Sequence, residues 1–148
     1  CLKGDAKFYQ IKGEWCAASE LLNLMARRLT GRVLLPELLY GPERNETSVV
    51  TTSVSAKDLA EAVFSNTKQV YGYKQLPSLY RVGNNFISPV DAFATLSKAI
   101  REDLSELEVQ TGRLASGDYV DRNVEFDGGW DLWAPGFQAR NIIDQTVL

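Results

Sequence analysis

The chain has 148 residues, about 45% of them hydrophobic, with sixteen basic residues against nineteen acidic ones and a formal charge of −3. That is enough for one domain with its own core. It carries no basic run or arginine–aromatic stripe to suggest nucleic acid, no apolar stretch near the ~20 residues of a membrane span, and no secretory n-region with h-region. Histidine is absent, which removes the commonest general base and metal ligand and every Ser-His or Cys-His arrangement.

The first predicted element is a hairpin: Phe8-Tyr9-Gln10-Ile11 turns at Lys12-Gly13-Glu14 into Trp15-Cys16. Cys1 and Cys16 are too few for a disulfide framework and lack a Cys-x-x-Cys spacing for zinc. Cys16 reads as a small buried hydrophobe, with a bond to Cys1 or a reactive thiol as alternatives. A start at Cys1 without Met reads as an excised piece of a larger polypeptide rather than a lipidated terminus.

A helix is predicted over 17–30. Leu21, Leu22, Leu24, Met25 and Leu29 make one apolar stripe, Glu20 lies in the first turn, Arg27 and Arg28 lie in the last, and Gly31 stops it. Leu35-Pro36-Glu37-Leu38 follows, then an insertion around 42–47 that contains Asn45-Glu46-Thr47, a weak N-glycosylation pattern. Residues 56–64 give a two-turn helix with Leu59, Ala60, Val63 and Phe64 on one face, opened by Ser55 and Asp58 in capping-box spacing. A second hairpin joins Leu79-Tyr80-Arg81-Val82 to Phe86-Ile87 through Gly83-Asn84-Asn85. The longest predicted helix, 89–107, is capped by Ser88 with Pro89 and Asp91 in its first turn and carries Val90, Phe93, Leu96, Ile100, Leu104 and Leu107 at three- and four-residue spacing.

An offset of 71 residues lays Tyr9 on Tyr80, Trp15 on Phe86, Glu20 on Asp91, Leu22 on Phe93 and Leu29 on Ile100. A second offset lays Leu35-Pro36 on Leu76-Pro77, and after the insertion Ser55-Ala56-Lys57-Asp58 falls on Ser88-Pro89-Val90-Asp91. The expected fold class is therefore α+β: about three small hairpin-plus-helix repeat units, 8–34, 35–75 and 76–113, packed together in one domain over 1–148. An aromatic, irregular C-terminal cap over 114–148 closes it.

Leu-Pro, a short strand, a Gly-containing turn, a second strand, Ser-x-x-Asp and an apolar helix ending in Ala-Ile resemble the pseudomurein-binding repeat. That family occurs in tandem in archaeal cell-wall proteins and related bacterial surface proteins. The resemblance is clearest over 76–100, fair over 8–31 and weak over 35–64. The sequence departs from it at Ala17, where a Ser cap belongs, at the insertion, and in the helix-free last segment. The resemblance implies a non-catalytic, extracellular module that binds a cell-wall polysaccharide or its peptide stems and anchors an attached enzyme or surface protein. No cofactor and no metal are expected.

The ligand-binding candidates are Tyr80, Asn84, Asn85 and Asp91 in the clearest unit, with Tyr9 at the position equivalent to Tyr80. Trp130 and Trp133 join them, because a sugar presents C–H faces to aromatic rings and hydroxyl edges to polar side chains. Each has a structural alternative: turn chemistry for Asn84 and Asn85, half-buried strand positions for the tyrosines, a core cap for the tryptophans. Asp118, Asp121, Glu125, Asp127 and Asp131 leave room for a second class of function, a fragment of a glycan or peptide hydrolase, although turn formers or a calcium loop explain such acids too. A purely structural interaction domain is the third.

Overall fold

The computed structural model describes residues 5–7, 9–11, 13–44, 46–70 and 72–114. Among them the order is β1 (Asp5–Ala6), β2 (Tyr9–Ile11), β3 (Glu14–Cys16), α1 (Ala18–Leu29), β4 (Val54–Ser55), α2 (Ala56–Ser65), β5 (Lys68–Val70), β6 (Tyr73–Gln75), β7 (Tyr80–Val82), β8 (Asn85–Ile87), α3 (Pro89–Glu102), β9 (Glu106–Leu107) and β10 (Arg113–Leu114). This is a mixed α+β architecture of three helices and small strand pairs. The expected cap over 114–148 lies outside the described residues, apart from Leu114 at its start.

The core lies where the three helices meet, each packing against the other two. Leu21, Leu22, Met25 and Ala26 of α1 face Leu59, Ala60 and Val63 of α2 and Ala92, Phe93 and Leu96 of α3, all buried. Burying Phe93 fully contributes on the order of 2–3 kcal/mol relative to leaving it in water. Local signals set the helix starts: Ser55 Oγ accepts from Asp58 N at 3.2 Å, and Ser88 Oγ accepts from Asp91 N at 3.3 Å. Ala17 has no such oxygen, and the Glu20 carboxylate reaches back instead to accept from Ala17 N at 2.9 Å.

Two hairpin–helix elements correspond under the 71-residue offset. Tyr9 pairs with Cys16 and Ile11 with Glu14, as Tyr80 pairs with Ile87 and Val82 with Asn85. The helices that follow start at Ala18 and Pro89, and Leu22 and Met25 are buried as Phe93 and Leu96 are. Gly83 has φ 61°, so the two-residue turn Gly83-Asn84 puts the residue free of a Cβ where the chain enters the left-handed region. Asn85 is already the first residue of the returning strand, not part of the turn.

The middle segment differs. α2 buries Ala56, Leu59, Ala60 and Val63, one for one the spacing of Pro89, Ala92, Phe93 and Leu96 in α3. Among the described residues, however, no hairpin precedes it. Val49 pairs with Phe86, and β4 pairs antiparallel with β9. The hairpin β5–β6, which the sequence pattern did not reveal, closes the segment instead, with Lys68 opposite Gln75. α3 also ends earlier than the periodicity predicts. Asp103 adopts φ 53° and stops it, and Leu107 in β9, paired with Val54, is buried with Ala56 and Ala99 rather than along a continuing helix face.

The chain ends of the described body meet. β1 and β10 pair in parallel, Asp5 opposite Arg113 and Ala6 opposite Leu114, and both strands pack on α3. Gly112 touches the start of α3 so closely that a Cβ there would lie 2.1 Å from the Val90 carbonyl oxygen.

Candidate functional site

The residues singled out from the sequence occupy very different environments. Tyr80, the first residue of β7, is fully buried, and its hydroxyl has no hydrogen-bond partner among the described residues. Burial pushes its phenol well above the usual range, so it stays neutral and serves as core packing. Tyr9 is half-buried: its ring stacks on Phe93 with centroids 6.3 Å apart, and its hydroxyl donates to Asp5 O at 2.7 Å. The two tyrosines share a strand position but not an environment.

Asn85 is 2% exposed and works as a clamp. Its amide oxygen accepts from Thr51 N at 2.8 Å and Thr52 N at 3.2 Å, while its nitrogen donates to Thr52 O at 3.2 Å. Asp91, at the third position of α3, joins two loops to the helix start. One carboxylate oxygen accepts from Ser48 Oγ, the other accepts from Gly112 N at 2.8 Å, and Ser48 Oγ in turn accepts from Ser88 N at 2.8 Å. Asn84, at the turn, is exposed. Trp130 and Trp133 lie outside the described residues.

These clamps build a surface from residues other than the candidates. Strand alternation sends Tyr80, Asn85 and Ile87 inward, so Arg81 and its cross-strand partner Phe86 point to solvent. A single antiparallel bridge then joins Val49 to the outer edge of β8: Val49 N donates to Phe86 O at 2.7 Å, and Phe86 N donates to Val49 O at 2.9 Å. Directly opposed residues share a face. Arg81, Phe86 (41% exposed) and Val49 (58% exposed) therefore form one open row, with Val50 next in the chain also exposed. A ring and an aliphatic group beside one guanidinium can take an apolar sugar face or an apolar side chain while hydrogen-bonding an oxygen at its edge. The alternation that buries Tyr80 and Ile87 was the signal that could have found Phe86.

A second exposed apolar strip runs along Val33, Leu34, Leu35 and Leu38 after α1. Its flanking charges are paired. Glu37 holds Arg27 at 3.4 Å and also binds Lys74, and the Lys74 hydrogen bond, helped by Arg27, keeps its carboxyl below the usual range. Arg32 takes Glu61 through two contacts of 2.8 Å and lies over the Phe64 ring at 4.1 Å.

Cys16 carries a free, half-buried thiol. Burial, reinforced by the Glu20 carboxylate, pushes its pKa up to about 12, which is the setting of an inert thiol. Among the described residues no group of three or more His, Cys, Asp or Glu side chains could hold a metal ion, and no helix is long and apolar enough to cross a membrane. Comparison with protein-family models, with curated proteins and with solved structures returned no match.

Proposed function

We propose that the chain is a non-catalytic binding module for an extracellular cell-wall polymer, pseudomurein or a peptidoglycan-like glycan and its peptide stems, and that it anchors whatever is attached to it. The observation that carries the reading is the open row of Arg81, Phe86 and Val49 on a hairpin fixed from behind by Asn85. Support comes from the 71-residue correspondence of two hairpin–helix elements and from the like spacing of buried positions in α2, as expected of a repeat. The contact moves from Tyr80, Asn85 and Asp91, which hold the scaffold, to Phe86 and Arg81. Asn84 remains at its margin. Such a flat face binds weakly, and neighbouring units on one polymer would gain through effective concentration.

Co-sedimentation with purified wall sacculi tests this. The intact chain pellets at low salt, and Phe86→Ala, which removes an exposed ring, lowers the bound fraction about tenfold at equal protein concentration. A chain that stays in the supernatant at low salt ends the proposal.

The strip Val33–Leu38 favours a second reading, a structural domain that packs against another part of a larger protein. Wall binding that survives Phe86→Ala but is lost in Leu35→Glu would shift the contact there. A folded chain that binds neither wall nor sugar would leave only the structural role.

A further inference from the structure

The two strands at the limits of the described body are parallel neighbours, and that direction has a mechanical consequence. Chain preceding Asp5 leaves one end of the pair, and chain following Leu114 leaves the opposite end. Tension applied outside residues 5–114 therefore pulls β1 and β10 in opposite directions along their own axes. The bonds between them are then strained together, in shear. An antiparallel pair would have both ends on one side and would open one bond at a time.

We propose that this pair is a mechanical clasp, which shields the hairpins and helices between residues 7 and 112 from tension carried along the polypeptide. The inference does not depend on which polymer the Phe86 face binds. Three features brace the clasp. Ala6 is fully buried in the core, so β1 cannot slide without dragging an apolar side chain into water. Across the pair, Arg113 reaches Asp5 twice, Nε to Oδ1 at 3.4 Å and Nη2 to Oδ2 at 3.1 Å. Just before β10 the chain is fastened to α3: Gln110 N donates to Thr95 Oγ1 at 2.9 Å, Gly112 N donates to Asp91 at 2.8 Å, and Gly112 fits against the Val90 carbonyl. Asp91 thus secures the same helix start on which the hairpin converges.

Constant-force single-molecule unfolding of the full chain tests the clasp. Handles at residues 1 and 148 load β1 against β10, whereas handles at Asn66 and Asn84, both exposed and both between the two strands in the chain, leave the pair out of the force path. The folded lifetime at one force should be about tenfold longer in the first geometry. Arg113→Ala, at a side chain 75% exposed, should shorten that lifetime roughly twofold and leave the second geometry unchanged. Asp5→Ala should match it. Equal lifetimes in the two geometries overturn the proposal, and so does an Arg113→Ala effect of the same size in both.

Discussion

Asn85 offers the sharpest test of how the face is built. Its side chain stands in for a neighbouring strand, satisfying two N–H groups and one carbonyl of Thr51 and Thr52. Asn85→Ala leaves all three without that partner. At a net ~0.5–1.5 kcal/mol per hydrogen bond, the 2.8 Å bond falls near the top of the range and the two 3.2 Å bonds near the bottom, giving about 2–3 kcal/mol. Thr51 and Thr52 are exposed, so water can replace part of the loss and the lower end is expected. Urea denaturation measures it as a lower midpoint at unchanged slope. Amide exchange should accelerate at Thr51 and Thr52 and at Val49, whose bridge to Phe86 loses its anchor, before it changes in α3. Asn85→Asp keeps the acceptor but sets a carboxylate against the Thr52 carbonyl, and should be no more stable than Asn85→Ala. A loss below ~0.5 kcal/mol for Asn85→Ala, the usual scatter of surface substitutions, would refute the clamp.

Other expectations follow from particular atoms. Tyr80→Phe removes a buried hydroxyl that has no partner among the described residues, so thermal denaturation should show stability unchanged or raised by up to ~1 kcal/mol; a clear loss would mean the hydroxyl is bonded. Gly112→Ala forces a methyl to 2.1 Å from the Val90 carbonyl oxygen and should cost about 2–3 kcal/mol through displacement of the segment from α3, visible in the same melts. In a Cys1→Ser background, Cys16 should resist a thiol reagent at pH 8 until the protein is unfolded, because its ionisation is pushed up to about 12. The unfolded thiol ionises near its ordinary value of 9.0. Its contribution is therefore present below that pH and is lost as pH rises toward 12, and Cys16→Ala should flatten this decline.

The local chemistry of the helices was legible in the sequence. Ser55 with Asp58 and Ser88 with Asp91 start α2 and α3 where capping spacing puts them, since a cap needs only residues three apart. The apolar spacing in 17–30 and 89–100 likewise marked which faces meet in the core. The roles of the candidate binding residues were not legible. Asn85 answers to Thr51 and Thr52, 34 and 33 residues away, and Asp91 to Ser48, 43 away. Nothing local distinguishes an amide that clamps a loop from one that waits for a ligand.

Sequence alone determined the hairpin at 80–87, the capped helices and the correspondence at 71 residues, because these rest on turn residues, caps and periodicity within a few positions of one another. Tertiary structure alone decided where α3 ends and what replaces the missing middle hairpin. Leu104 and Leu107 continue a helical rhythm, yet Asp103 breaks it and β9 pairs with β4, since that pairing satisfies the backbone while Leu107 buries its side chain with Ala56 and Ala99. Val49 could have paired within its own segment, but the edge of β8 supplied a ready row of donors and acceptors, and Asn85 held the approach in place. Alternation within the hairpin puts Phe86 and Arg81 opposite Tyr80 and Ile87, but the bridge that sets Val49 beside Phe86 is a long-range pairing that no spacing along the chain encodes.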